Sequence, residues 1–252
     1  MTADLVENGS GYENLSKFAT VVFGMRRHTV KKLRLLLVLP PCAVIWILGS
    51  AAYDRVFKEG CNPPEELACA GADLRGVDLA DADLHSADFS HANLRKANLN
   101  NSDLSEADLS GSLLDGADMD RANLFRANLS RSSLDMTNLT DAFMVQSNLT
   151  NALLSRTWLY GANLSRANLT STIAYDAYFE NANFRSALLR NGDLSGSWFY
   201  RADFTGADFT GADLSGSNLG AAIFTHTNLD LANLTNAYLT SARMPNGSIH
   251  PG

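Results

Sequence analysis

Ala92-Asn93-Leu94-Arg95-Lys96, Ala97-Asn98-Leu99-Asn100-Asn101, Ser102-Asp103-Leu104-Ser105-Glu106 and Ala107-Asp108-Leu109-Ser110-Gly111 are four consecutive quintets of one pattern. An apolar residue stands at the centre, a small residue two places before it, and Asp or Asn between them. The frame extends both ways without a slip, from Leu74 to Met244, which makes 35 quintets. Every centre is Leu, Phe or Met except Ala174, and the position two before it is Ala, Ser or Thr except at Val77 and Gly192. A period of five fits neither the 3.6 of a helix nor the 2.0 of a flat strand. It fits a coil of short sides, each side and its corner using one quintet, with the centre and the small residue both pointing into a narrow interior. Backbone groups of each coil then pair with the coils above and below at strand spacing, so that buried N–H and C=O groups find partners. Of the 35 positions just before the centre, 23 are Asp or Asn, whose short side chains bond nearby backbone and favour turns. They are expected to lock the corners.

The motif, A-(D/N)-L-x-x, resembles that of the pentapeptide-repeat family over roughly 70% of the chain. The resemblance implies an all-β fold, a right-handed quadrilateral β-helix with four quintets per coil. Nearly nine coils would then stack into a rod of about 42 Å at roughly 4.8 Å per coil. Two non-enzymatic roles are expected. One, read from an uncharged stretch ahead of the repeats and from an outward column of Trp and Tyr, both set out below, is a membrane-anchored protein–protein interaction scaffold. The other, implied by the resemblance, is an acidic rod that mimics DNA and binds DNA gyrase or topoisomerase, as quinolone-resistance members do. Some members dimerise by abutting their C-terminal ends, so a homodimer through the C-terminal coil is a further expectation.

Charge bears on both roles. The formal net charge of -7 argues against direct nucleic-acid binding, which needs clustered Lys and Arg. Residues 1-69 carry 8 basic and 7 acidic side chains, leaving 12 basic and 20 acidic for the repeats. Arg121, Arg126, Arg131, Arg156 and Arg166 interrupt the acidic surface. No residue pattern recommends an enzyme: His28, His85, His91, His226 and His250 lie in no ligand or triad spacing, and no phosphate loop or nucleophile motif is present. No catalytic, metal or cofactor site is therefore assigned.

Ahead of the repeats, Leu35 to Tyr53 runs for 19 residues without a charge, long enough to span a bilayer as a helix, although Pro40 and Pro41 would kink it. Arg26, Arg27, Lys31, Lys32 and Arg34 precede it. By the positive-inside rule the leader stays in the cytoplasm and the repeats cross the membrane. A buried helix of a small N-terminal domain and a cleavable signal peptide ending near Ser50-Ala51-Ala52 are the rival readings. The expected organisation is a cytoplasmic tail at 1-34, a transmembrane helix at 35-53, a linker and cap at 54-69, the β-helix at 70-244 and a C-terminal tail at 245-252. Cys61 and Cys69 flank Asn62-Pro63-Pro64. In an oxidising compartment they would form a disulfide; otherwise Cys69, which falls in the repeat frame, is a buried small hydrophobe.

With twenty residues per coil, outward residues that differ by twenty stack in one column. Trp158, Tyr178, Trp198 and Tyr238 are the only Trp or Tyr residues just before a centre, and they share one column. Tyr160 and Tyr200 fall beside it, and Leu113, Leu153 and Ile173 fall on the neighbouring face. Such a strip is what a site for an unnamed protein partner looks like. A column copied by duplication, or rings stacked only for stability, would leave the same pattern.

Overall fold

Each quintet of the repeat folds as one bridge residue followed by one tight turn. The computed structural model describes residues 69–251. In the quintet centred on Leu74, the Leu74 carbonyl accepts from the Val77 N–H at 3.2 Å, and Gly76 between them has φ of 62°. A positive φ confined to the third turn residue defines a type II turn, which glycine enters without cost. The positive φ recurs at all 35 equivalent positions from Gly71 to Ser241, yet only nine of them are Gly and 26 carry a side chain. The left-handed conformation costs an L-residue roughly 1–2 kcal/mol. Here the N–H of that residue donates to the next coil, as Asp81 does to Asn100 at 2.9 Å, so the strained geometry also completes the backbone ladder.

The residue just before each centre pairs in parallel with the residue twenty further on, from Asp73 with Asn93 to Ile223 with Arg243. Four bridges per coil give four faces, numbered here in chain order from the columns that start at Asp73, Asp78, Asp83 and Asp88. Inside, the centres and the small residues are buried throughout the middle of the rod. The N-terminal coils are filled mainly by Leu and Met. From Phe179 to Phe224 the filling is largely aromatic, with Phe179, Phe199 and Phe204 in continuous ring contact. Ala174, the one small centre, shares its coil with the buried Phe179 and Phe184. Buried hydroxyls at the small position bond to backbone, as Ser112 to Leu109 O at 2.7 Å and Thr157 to Leu134 O at 2.7 Å.

The Asp and Asn residues do not sit at the corners, as the sequence pattern implies. They occupy the bridges and reach forward to the turn. At 22 of the 23 positions the side-chain oxygen accepts the N–H of the residue two places on, capping the first turn residue. Asp73 differs in binding the Arg75 guanidinium through both oxygens. Amides also reach between coils, as Asn98 to Asp78 at 2.9 Å and Asn138 to Asp118 at 2.9 Å. The side chain is thus outward for solubility and forward for the cap.

Pro245 to His250 turn back as a hairpin. Ile249 pairs antiparallel with Arg243, the Met244 N–H donates to Ser248 O, and the His250 N–H donates to Ala242 O, both at 2.8 Å. This covers one side of the last coil. On its other sides the inward Leu229, Leu234 and Leu239 are only half-buried, and Leu231 is 88% exposed. The expected membrane span at 35-53, the expected cytoplasmic tail at 1-34 and residues 54–68 of the expected linker lie outside the described residues, as does Cys61. Among the described residues no helix is long and apolar enough to cross a membrane. Cys69 is buried in the first coil, its N–H donating to Asp88 O at 2.6 Å.

Candidate functional site: an aromatic strip on the second face

The second face begins polar, with Asp78, Asn98, Asp118 and Asn138, and then changes character to Trp158, Tyr178, Trp198, Asn218 and Tyr238. Trp158 and Trp198 are 43% and 47% exposed, Tyr238 is 56% exposed and Tyr178 is half-buried. A β-bridge residue must point outward here because its neighbours on both sides point in, so ring exposure follows from the frame. The substitution removes the cap. Trp and Tyr offer no acceptor to the N–H two places on, and Tyr160, Glu180 and Tyr200 stand at those uncapped positions.

Those three residues form their own column at the corner between the second and third faces, joined through backbone bonds from Gly161 to Glu180 O and from Asn181 to Tyr200 O. The Tyr160 ring stacks on Tyr178 with centroids 5.8 Å apart. Burial, the negative charge of Glu180 and the neighbouring Tyr178 push the Tyr160 hydroxyl above its ordinary pKa. Glu180 is held above the usual carboxylate range by burial, partly offset by its own backbone N–H, which bonds back to the carboxylate in place of the missing cap. Its Oε2 is buried and has no hydrogen-bond partner among the described residues. Past Tyr200, Gly220 continues the column; a Cβ there would come within 3.1 Å of the Tyr238 ring and 3.2 Å of the Tyr200 ring, so glycine makes room for both. Arg201 lays its guanidinium over Tyr200 at 5.0 Å from the ring centroid.

On the first face Leu153 and Ile173 are 44% and 41% exposed, and Leu113 is half-buried. Tyr175, at the corner between the first two faces, joins them to the strip at 43% exposed. The sequence reasoning placed Trp158, Tyr178, Trp198, Tyr160 and Tyr200 where the structure has them but overlooked Glu180. The available signal was its position, twenty from both Tyr160 and Tyr200. A shallow depression lies between Trp198 and Tyr238 over Asn218, flanked by Gly196 and Gly216. His85 and His91 lie on different corners, His85 bonded to Ser105 and His91 lying where a Cβ on Gly111 would stand. Among the described residues no group of side chains could hold a metal ion.

Charge divides along the rod. Residues 73–120 hold 11 acidic and 3 basic side chains, whereas residues 121–251 hold 9 of each. The strip lies in the neutral part.

A family model for pentapeptide repeats matches residues 68–101, 102–141, 147–185, 182–220 and 212–247. The chain belongs to the pentapeptide-repeat family. Among solved members, HetL, a pentapeptide repeat protein involved in heterocyst differentiation regulation from the cyanobacterium Nostoc sp. strain PCC 7120, is 30% identical; the match covers 80% of this chain and 99% of that one, with a TM-score of 0.48. A trypsin-treated form of QnrB1, a plasmid-mediated fluoroquinolone resistance protein, is 22% identical over 69% of this chain and 89% of that one, with a TM-score of 0.49. A pentapeptide repeat protein from the Arabidopsis thaliana thylakoid lumen is 27% identical over 56% of this chain and 68% of that one, with a TM-score of 0.12. No curated protein matches.

Proposed function

We propose that this pentapeptide-repeat protein is a non-enzymatic interaction rod that presents the aromatic strip of its second face to a protein partner. The observation that carries the reading is the exchange at residues 158, 178, 198 and 238. Asp or Asn at this position caps the following turn, and Trp or Tyr gives up that hydrogen bond and exposes a large apolar ring instead. A change that lowers local stability and enlarges exposed apolar surface is expected where the surface is used. Trp and Tyr are also the residues that most often anchor interfaces, because they bring large contact area with few rotatable bonds. Replacing Trp158, Tyr178 and Trp198 together by Ser should abolish partner recovery while leaving the circular dichroism of the coils intact. Unchanged recovery from a folded variant would overturn the reading. A bilayer anchor at 35-53 belongs to the same proposal, on the strength of its uncharged length.

The second reading, a topoisomerase-binding DNA mimic, has one observation in its favour: the acidic excess concentrated in residues 73–120. At about 4.8 Å per coil that segment is only about 12 Å of rod. The neutral remainder, where Arg185 pairs with Asp203 at 2.9 Å and Arg190 with Asp208 at 2.6 Å, lacks the continuous negative field such mimicry requires, so the scaffold reading is preferred.

A further inference from the structure

Outward from Tyr178 the strip is symmetric along the rod. The second face runs Asn138, Trp158, Tyr178, Trp198 and Asn218, the same residues in either direction on rungs twenty apart. A twofold axis through Tyr178, perpendicular to the face, therefore sets Trp158 of one copy against Trp198 of a second, and Asn138 against Asn218. The same operation sets every residue of the face and its corners opposite the one equally far beyond Tyr178, and there the corners match by size. Tyr160 meets Gly196, and Met136, which is 50% exposed, meets Gly220. Arg156 meets Tyr200, a pairing that suits a guanidinium and an aromatic ring. At the end of the contact Tyr238 meets Asp118, a hydroxyl donor against a carboxylate.

Charge decides the direction. At the face and its two corners the three central rungs carry two carboxylates, Asp176 and Glu180, and two guanidiniums, Arg156 and Arg201. The contact is thus neutral as a whole, even where Asp176 meets Glu180. A parallel pair would lay residues 73–120 of both copies side by side, each with 11 acidic and 3 basic side chains. The antiparallel pair sends those segments to opposite ends and avoids the repulsion. A parallel pair would also set Gly216 against Gly220 and leave a gap. The rings of Trp158, Tyr160, Tyr175, Trp198, Tyr200 and Tyr238 are each 37–56% exposed. At about 200 Å² per ring they bring about 500 Å² from each copy, about 1,000 Å² for the pair, which is where specific interfaces begin.

We propose that the strip's partner is a second copy of this chain, packed antiparallel and face to face about a twofold axis at Tyr178. The proposal rests on the interaction-rod reading and names its partner. Closed twofold pairing is the commonest way identical chains associate, and it sets one patch against itself. The modest area makes the dimer weak and reversible.

The test is sedimentation velocity of the full chain in dilute nonionic detergent, which disperses any association through residues 35-53. Tyr178 meets itself across the axis, so Tyr178→Lys and Tyr178→Glu each oppose like charges and should weaken dimerisation at least about tenfold. Mixed one to one, these variants should regain it to within about threefold of the unaltered chain. For direction, Asn138→Lys with Asn218→Glu in one chain brings opposite charges together only in the antiparallel pair and should keep the dimer. Asn138→Lys with Asn218→Lys should weaken it about tenfold. A chain that stays monomeric at about 1 mM, a mixture that does not recover, or equal losses in the two Asn138 variants would overturn the proposal. Association untouched by Tyr178→Lys would overturn it as well, placing the contact elsewhere, as at the last coil. The two readings fail separately. A monomeric chain whose partner recovery is still abolished by the Trp158, Tyr178 and Trp198 substitution keeps the interaction rod and removes the second copy; recovery that survives that substitution removes the rod reading itself.

Discussion

Replacing Phe199 by Ala should cost this rod more than the same change costs most proteins. The Phe199 ring is fully buried, lies parallel to Phe179 at 4.8 Å with planes 2° apart, and meets Phe204 edge-on at 5.4 Å and Phe184 at 6.0 Å. Truncating a buried Phe costs about 3–5 kcal/mol, with the spread set by how far the surroundings collapse into the space. Collapse is resisted here because the coil walls are backbone ladders whose spacing is fixed by hydrogen bonds, such as Phe199 N to Asn218 O at 2.7 Å. Three ring contacts, each worth about 0.5–1.5 kcal/mol beyond burial, are lost as well. The expected loss is therefore at the upper end, about 4–5 kcal/mol, while Phe199→Leu, which keeps most of the volume, should cost about 1–1.5 kcal/mol. Urea unfolding followed by far-ultraviolet circular dichroism gives the totals, and hydrogen exchange gives the location. Because each coil touches only its neighbours, protection should fall first between about Phe179 and Phe224 and persist among the Leu-filled coils near Leu104. A loss under about 1 kcal/mol, or protection falling evenly along the rod, would refute the reasoning that the interior is rigid and its energetics local.

Three other outcomes are expected. For Asp208, burial opposes the charge, but the Thr210 hydroxyl and N–H and the Arg190 guanidinium outweigh it and lower its pKa. Its folded value thus lies below its unfolded one, so its contribution is present above about pH 4 and lost as pH falls through the folded value. Asp208→Asn should cost under about 1 kcal/mol at neutral pH in urea titrations, and the difference should shrink steadily as the pH is lowered below about 4. Removing residues 245–252 deletes the hairpin over the last coil and should speed amide exchange at Ser241 and Met244 and promote end-to-end association in light scattering, as an uncovered strand edge does. A C-terminal tag should be cleaved by protease only after the far side of the membrane is exposed; a tag released in soluble form would rule out an anchor at 35-53.

The five-residue frame made the fold legible from sequence, since neither the helix nor the flat strand puts an apolar residue at every fifth place for 35 repeats. The twenty-residue coil then followed, and with it the column that unites Trp158, Tyr178 and Trp198. Three things were not legible. The pattern showed that Asp and Asn favour turns but not that they act from the bridge, because a cap depends on where the following N–H points. Glu180 escaped because a carboxylate on a turn usually faces water, and nothing in the repeat pattern marks that one of its oxygens is buried. The hairpin at Pro245 to His250 was likewise invisible as structure, having no repeat to mark it.

The parallel pairing of each residue with the one twenty later makes the molecule behave as a screw with four settings. Removing a single quintet would preserve every buried position and every turn, so the shortened chain would still fold. All that lies beyond the cut would nevertheless be rotated by a quarter turn, and Trp158, Tyr178 and Trp198 would stand above Asp73 instead of Asp78. Only gains or losses of whole coils keep the aromatic column aligned with the acidic segment below it. The fold itself tolerates change in steps of five, whereas any function that joins the two segments tolerates it in steps of twenty.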